Sequence, residues 1–169
     1  MIAVTGIGPR VGTSFVMREA KKYVPIVGRK FPSWAIKEEN PNGYYEIDRV
    51  IYSQGVPFNK WKGHAVKLWP HMLVNTNPNF ISKIILLDRF DKGRQIESTI
   101  RVKNKELEKV PWITMDDKDI PKMLEERKEM VEEYLLINYK IPVLRIFTEE
   151  LDYSLDFIKE FLSLPKRRK

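Results

Sequence analysis

The chain of 169 residues contains no cysteine. That excludes disulfides, thiolate metal sites and a cysteine nucleophile, and it fits a reducing compartment, so a cytoplasmic location is expected. Histidine is scarce: His64 and His71 are the two present, and imidazole base chemistry rests on one of them. No apolar run is long enough to span a bilayer, and the first residues read as a strand rather than a secretory leader. Internal repeats and low-complexity tracts are missing, and no composition shift marks a boundary. A single domain over 1–169 is expected.

What is present is an ordinary globular balance, with 43% hydrophobic and 31% charged residues. The net charge of +7 favours anionic partners such as nucleotides or sulfated and phosphorylated ligands. Part of that excess is the tail Lys166–Lys169, which reads as a solvated end. The other basic residues are dispersed and no nucleic-acid motif accompanies them, so no nucleic-acid partner is expected.

Short, continuous Ile-, Val- and Leu-rich runs predict strands at Ile2–Val4, Val24–Val27, Ala65–Leu68, Lys83–Leu87 and Pro142–Phe147. Between them lie helix candidates at Ser14–Lys22, Ile47–Gln54, Arg94–Val102, Ile120–Tyr139 and Ser154–Leu164. In the fourth, Asp119 is a candidate cap, Pro121 falls in the first turn, and Met123, Leu124, Val131, Tyr134 and Leu135 share a stripe with Arg127. Arg127 reads either as a snorkelling side chain or as one reaching an anion site. Turn-rich loops are expected at Glu39–Gly43, Asn75–Asn79 and Lys103–Lys118. The alternation predicts an α/β fold: a P-loop NTPase-like three-layer α/β/α arrangement with a five-stranded parallel sheet in kinase-type order 2-3-1-4-5. Ligands of such sheets bind beyond the carboxyl ends of the strands.

One such end carries Gly6-Ile7-Gly8-Pro9-Arg10-Val11-Gly12-Thr13-Ser14. A strand feeding a glycine-rich turn and then a helix lets backbone amides approach an anion. As a dinucleotide loop it is one residue too long, and the basic Gly28-Arg29-Lys30 follows the second strand where an acidic residue is needed. As a nucleotide-kinase loop it gains from Ile84–Leu87 followed by Asp88, a Walker B-like strand for Mg²⁺, but it lacks the Walker lysine. A ligand-free tight turn is the plain alternative.

Pro9-Arg10-Val11-Gly12-Thr13-Ser14 resembles the phosphosulfate-binding loop of the P-loop sulfotransferases. Further likenesses follow in the family's order. Asn40-Pro41-Asn42-Gly43-Tyr44-Tyr45-Glu46 is similar to an Asn-Pro-x-Gly-Tyr-Trp/Phe-Glu segment, and Val66-Lys67-Leu68-Trp69-Pro70-His71 to a strand ending in Lys-x-Pro-Arg/His. Lys83–Arg89 and a helix bearing Ser98 resemble the element that binds a 3′-phosphate. Val143–Leu151 and Phe161–Pro165 are similar to the family's late strand and closing helix. The interval from Arg89 to Ser98 is one residue longer than the family's, which makes Thr99 a neighbouring candidate. The glycine-rich cofactor loop near the C-terminus of the animal enzymes is absent.

The resemblance implies transfer of a sulfuryl group from 3′-phosphoadenosine 5′-phosphosulfate to a hydroxyl or amine of a small-molecule or saccharide acceptor, with no metal. It implies that Gly8, Pro9, Arg10, Val11, Gly12, Thr13 and Ser14 hold the phosphosulfate, and that Arg89 and Ser98 hold the 3′-phosphate. His71, at a strand's carboxyl end, and Glu46 are the candidate bases, and Lys67 and Arg10 the candidate cations for the leaving group. Glu46 is alternatively a salt-bridge partner of Arg10 or Lys67. Tyr44, Tyr45, Trp61 and Trp69 form a candidate acceptor platform or belong to the core. A small nucleoside or nucleotide kinase using Mg-ATP, and a non-catalytic nucleotide-binding relative, are the competing functions.

Overall fold

A computed structural model describes residues 1–30, 40–47, 58–106 and 115–163. Five parallel strands form one sheet: β1 (Ile2–Gly6), β2 (Ile26–Val27), β3 (Ala65–Lys67), β4 (Lys83–Asp88) and β5 (Val143–Phe147). Their order is β2-β3-β1-β4-β5, as the strand–helix alternation predicts. The central register pairs Ile2 with Ala65 on one side and with Lys83 on the other.

The helices are α1 (Thr13–Ala20), α2 (Pro70–Val74), α3 (Lys92–Glu106), α4 (Ile120–Ile137) and α5 (Leu155–Ser163). Side chains alternate across the strands, and the two faces bury different helices. Ala3, Val66, Ile84 and Leu86 pack with Met72 and Leu73 of α2 and with Val131, Tyr134 and Leu135 of α4. Val4, Ala65, Ile85 and Leu87 pack with Val16, Met17 and Ala20 of α1 and with Ile158 and Leu162 of α5. Burial on both faces is why the strands lack a polar alternation.

Boundaries shift where a local hydrogen bond competes. The expected strand from Val24 begins at Ile26, because the Val24 amide closes α1 on the Ala20 carbonyl and Pro25 has no amide to donate. Helix α3 runs on to Glu106, so the first part of the loop expected at Lys103–Lys118 is helical. Asp119 stands at the N-cap of α4, but its side chain makes no capping bond. The short α2, with Pro70 in its first turn, was not foreseen from the sequence. Ile47 itself is not helical, and the rest of the helix expected at 47–54 lies outside the described residues, as do Leu164 and the tail at 166–169. No helix among the described residues is long and apolar enough to cross a membrane.

The chain leaves β1 toward α1 on one face and leaves β3 toward α2 on the other. Such divergence opens a crevice at the carboxyl edge of a parallel sheet.

Candidate active site

That crevice is a cleft of about 340 Å³. The loop after β1 lines it with Gly8, Pro9, Arg10, Gly12, Thr13 and Ser14. The end of β3 contributes Lys67, Leu68 and Trp69, while Arg89 follows β4 and Thr148 follows β5. Ser98 and Val102 enter from α3, and Asn40, Tyr44 and Glu46 from the segment at 40–47.

The loop holds its shape through unusual backbone angles. Arg10 (φ 65°) and Gly12 (φ 88°) are both left-handed. A Cβ at Gly12 would also lie 2.5 Å from Leu151 Cδ1, so glycine suits this position twice over. No side chain caps α1 at Gly12. Its first-turn amides have no intrahelical partner and stand where Gly12, Thr13 and Ser14 line the cleft, and the helix dipole favours an anion there. Val11 is buried in the core beneath the loop.

Two cations reach across from separate elements. Arg10 Nε donates to Ser98 Oγ at 3.1 Å, joining the loop to α3. Arg89 Nη1 donates to the Arg10 carbonyl at 3.5 Å. Arg89 Nε is buried and lies 3.4 Å from Glu149 Oε1, in ion-pair range but without a hydrogen bond. Its guanidinium is held in place yet weakly engaged. Burial pushes the Glu149 carboxyl up. Amide donors from its own backbone, Phe90 and Asp91, together with Arg89, outweigh that and hold it below the usual carboxylate range.

Helix rotation turns Ser98 and Thr99 in different directions. Ser98 lines the cleft. Thr99 is buried and donates its hydroxyl to the Gln95 carbonyl inside α3. Gln95 is buried too, and its Nε2 donates to the Pro9 carbonyl at 3.1 Å, supporting the loop from below.

Glu46 and Lys67 form a buried ion pair, 5% and 8% exposed. Lys67 Nζ also donates to Ser14 Oγ at 3.3 Å and to the Tyr44 carbonyl at 3.2 Å. Of the two partners proposed for Glu46, the structure selects Lys67. The other base candidate, His71, sits exposed on α2 and does not line the cleft. A carboxyl-terminal sequence position sufficed to suggest His71, but the turn into α2 carries it outward. Tyr44 and Trp69 line the cleft, whereas Tyr45 is core and Trp61 packs against the core on the α2 side.

Asp88, the residue a Mg²⁺ site would use, is ion-paired with Lys92 and accepts from the Arg89 amide at 2.7 Å. Thr148 entered the sequence reading only within the Val143–Leu151 segment, with no site role. Its hydroxyl lies 3.0 Å from both the Val11 and Asp88 carbonyls, pinning the loop to the end of β4. A threonine directly after a strand in a parallel sheet was the available signal.

No protein-family model matches the chain, and no curated protein matches it.

Proposed function

We propose that this protein is a sulfotransferase using 3′-phosphoadenosine 5′-phosphosulfate as donor and a hydroxyl or amine as acceptor. The observation that carries the reading is one cleft holding a glycine loop, a loop arginine tied to Ser98, and a second, loosely engaged arginine, Arg89.

The donor fits these residues. The buried Arg89 Nε lacks a hydrogen-bond acceptor, and a phosphate oxygen supplies one. The uncapped amides at Gly12–Ser14 suit a second anionic group some distance away on the same ligand. When bound, the donor supplies an activated sulfuryl group. Arg10 and the hydroxyls of Thr13 and Ser14 orient the phosphosulfate, and Arg89 with Ser98 binds the 3′-phosphate. Glu46 takes the acceptor's proton at a carboxylate oxygen, since it lines the cleft and His71 does not. Lys67, shared between Glu46 and Ser14, offsets charge developing on the bridging oxygen.

Adenosine 3′,5′-bisphosphate is expected to bind without Mg²⁺ in a calorimetric titration. Arg10→Ala and Arg89→Ala are each expected to weaken it by at least about tenfold, the loss of one charge-assisted contact. Tight binding of Mg-ATP with no binding of the bisphosphate would replace this reading with a kinase. Bisphosphate binding without transfer to any acceptor would leave a non-catalytic binding protein.

A further inference from the structure

The inward stripe of α4 carries Ile120, Met123, Leu124, Val131, Tyr134 and Leu135. Arg127 falls on the same stripe, three residues after Leu124 and four before Val131. A cation among apolar side chains on a packed helix face needs a reason.

Among the described residues no carboxylate answers it. Glu125 and Glu126 point to solvent, and Glu126 lies 3.7 Å from Lys122. Glu132 is held by Arg145 through two hydrogen bonds, at 2.5 and 2.6 Å. The contact Arg127 does make is with the face of Trp69, whose ring centroid is 5.9 Å from Cζ. Burial lowers the guanidinium's pKa, although an arginine stays charged at neutral pH. A cation–π contact of roughly 0.5–2 kcal/mol offsets only part of the cost of a partly buried, unpaired charge.

The neighbours of Arg127 connect it to the cleft. One turn earlier, Leu124 covers the phosphate loop so closely that a Cβ on Gly8 would lie 2.3 Å from its Cδ2. Trp69 lines the cleft, and Lys67 Nζ lies 5.8 Å from the same ring. Arg127 does not itself line the cleft; it adjoins it through Trp69, whereas Arg89 lines it directly after β4. Lys67 is neutralised by Glu46 and Arg89 has Glu149 beside it. Among the described residues, Arg127 is left with an aromatic face and no counter-ion.

We infer that Arg127 on Trp69 is an anion subsite for the acceptor, so that the molecule receiving the sulfuryl group carries a carboxylate or sulfate of its own. The role as acceptor site rests on the transferase reading above; the anion subsite does not. A snorkelling arginine that merely packs its stem makes the opposite forecast, because Arg127→Met keeps the stem and removes the charge.

The test is a titration with inorganic sulfate, with and without saturating adenosine 3′,5′-bisphosphate. Wild type is expected to bind sulfate in both conditions; once saturating bisphosphate fills the loop and the Arg89 site, Arg127→Met is expected to bind it at least about tenfold more weakly and Arg127→Lys to fall between, as a point charge replaces a planar fork. Bisphosphate affinity is expected to stay within about twofold in both variants, because the donor's cations are elsewhere. Without ligand, Arg127→Met is expected to melt no lower than wild type, since a half-buried charge without a counter-ion among the described residues has been removed.

Equal sulfate affinity in wild type and Arg127→Met under saturating bisphosphate overturns the inference. So does a parallel loss of the bisphosphate, which would put Arg127 in the donor site. Nucleotide binding without Arg127-dependent sulfate binding refutes the anion subsite alone. Arg127-dependent sulfate binding without nucleotide binding refutes the transferase reading and keeps the subsite.

Discussion

Gly8 shows how single side chains set the geometry of this cleft. Adding one carbon there brings it 2.3 Å from Leu124 Cδ2 and 3.2 Å from Gln95 Nε2. Gly8→Ala is therefore expected to destabilise the protein by about 1–3 kcal/mol through overpacking. Leu124→Ala empties the same space and costs about 2–5 kcal/mol by itself. Together they are expected to cost less than their sum by about 1 kcal/mol, because each relieves the other. Urea unfolding of the four proteins in the cycle measures this, and strict additivity would show that α4 does not lean on the loop. Gly12 is a different case: its φ of 88° makes any side chain there strained before packing is considered.

Among the elements, α4 does the most work. It closes one face of the sheet, covers the loop at Gly8 and brings Arg127 to Trp69. Tyr134 anchors its far end, donating to the Thr76 carbonyl at 3.4 Å from a buried site that pushes the phenol up to about 12. The neutral phenol is favoured in the folded state, so the folded protein holds more protons than the unfolded chain between about pH 10 and that value. The contribution is complete below pH 10 and is lost as pH rises through 12. Tyr134→Phe is expected to cost no more than about 1 kcal/mol at neutral pH, since the bond is long. It is also expected to flatten the fall of stability across the alkaline window, read from denaturant midpoints. An unchanged alkaline slope would assign the loss to other groups.

At the scale of the whole molecule, the cleft is held by contacts between distant segments. The Glu46–Lys67 pair joins the 40–47 segment to β3, and through Ser14 and the Tyr44 carbonyl it reaches α1. Lys67→Met leaves a carboxylate buried without its partner, at an expected cost of about 3–5 kcal/mol. Lys67→Met combined with Glu46→Leu is expected to recover most of that stability while abolishing any transfer that needs either charge. Equal destabilisation in the single and double variants, measured by chemical denaturation, would mean that the pair is not buried in solution.

The sequence by itself determined the five strands, to within a residue or two at their ends, the sheet order and the glycine-rich turn after β1. Each is written in contiguous residues: apolar runs buried on two faces, and glycines where the backbone must turn sharply. It also named both halves of the Glu46–Lys67 pair, but left Arg10 as a rival partner, because no local pattern ranks contacts between segments tens of residues apart. The tertiary structure decided what depends on rotation and distance. Helix phase turned Ser98 toward the cleft and Thr99 into α3, a 100° difference between neighbours. The turn into α2 moved His71 out of the cleft and left Glu46 inside. Arg127 and Trp69, 58 positions apart (127 − 69), became neighbours because α4 packs on the sheet face that α2 shares. Sequence patterns report what each residue does to its own segment; which side chains meet follows from how the segments pack.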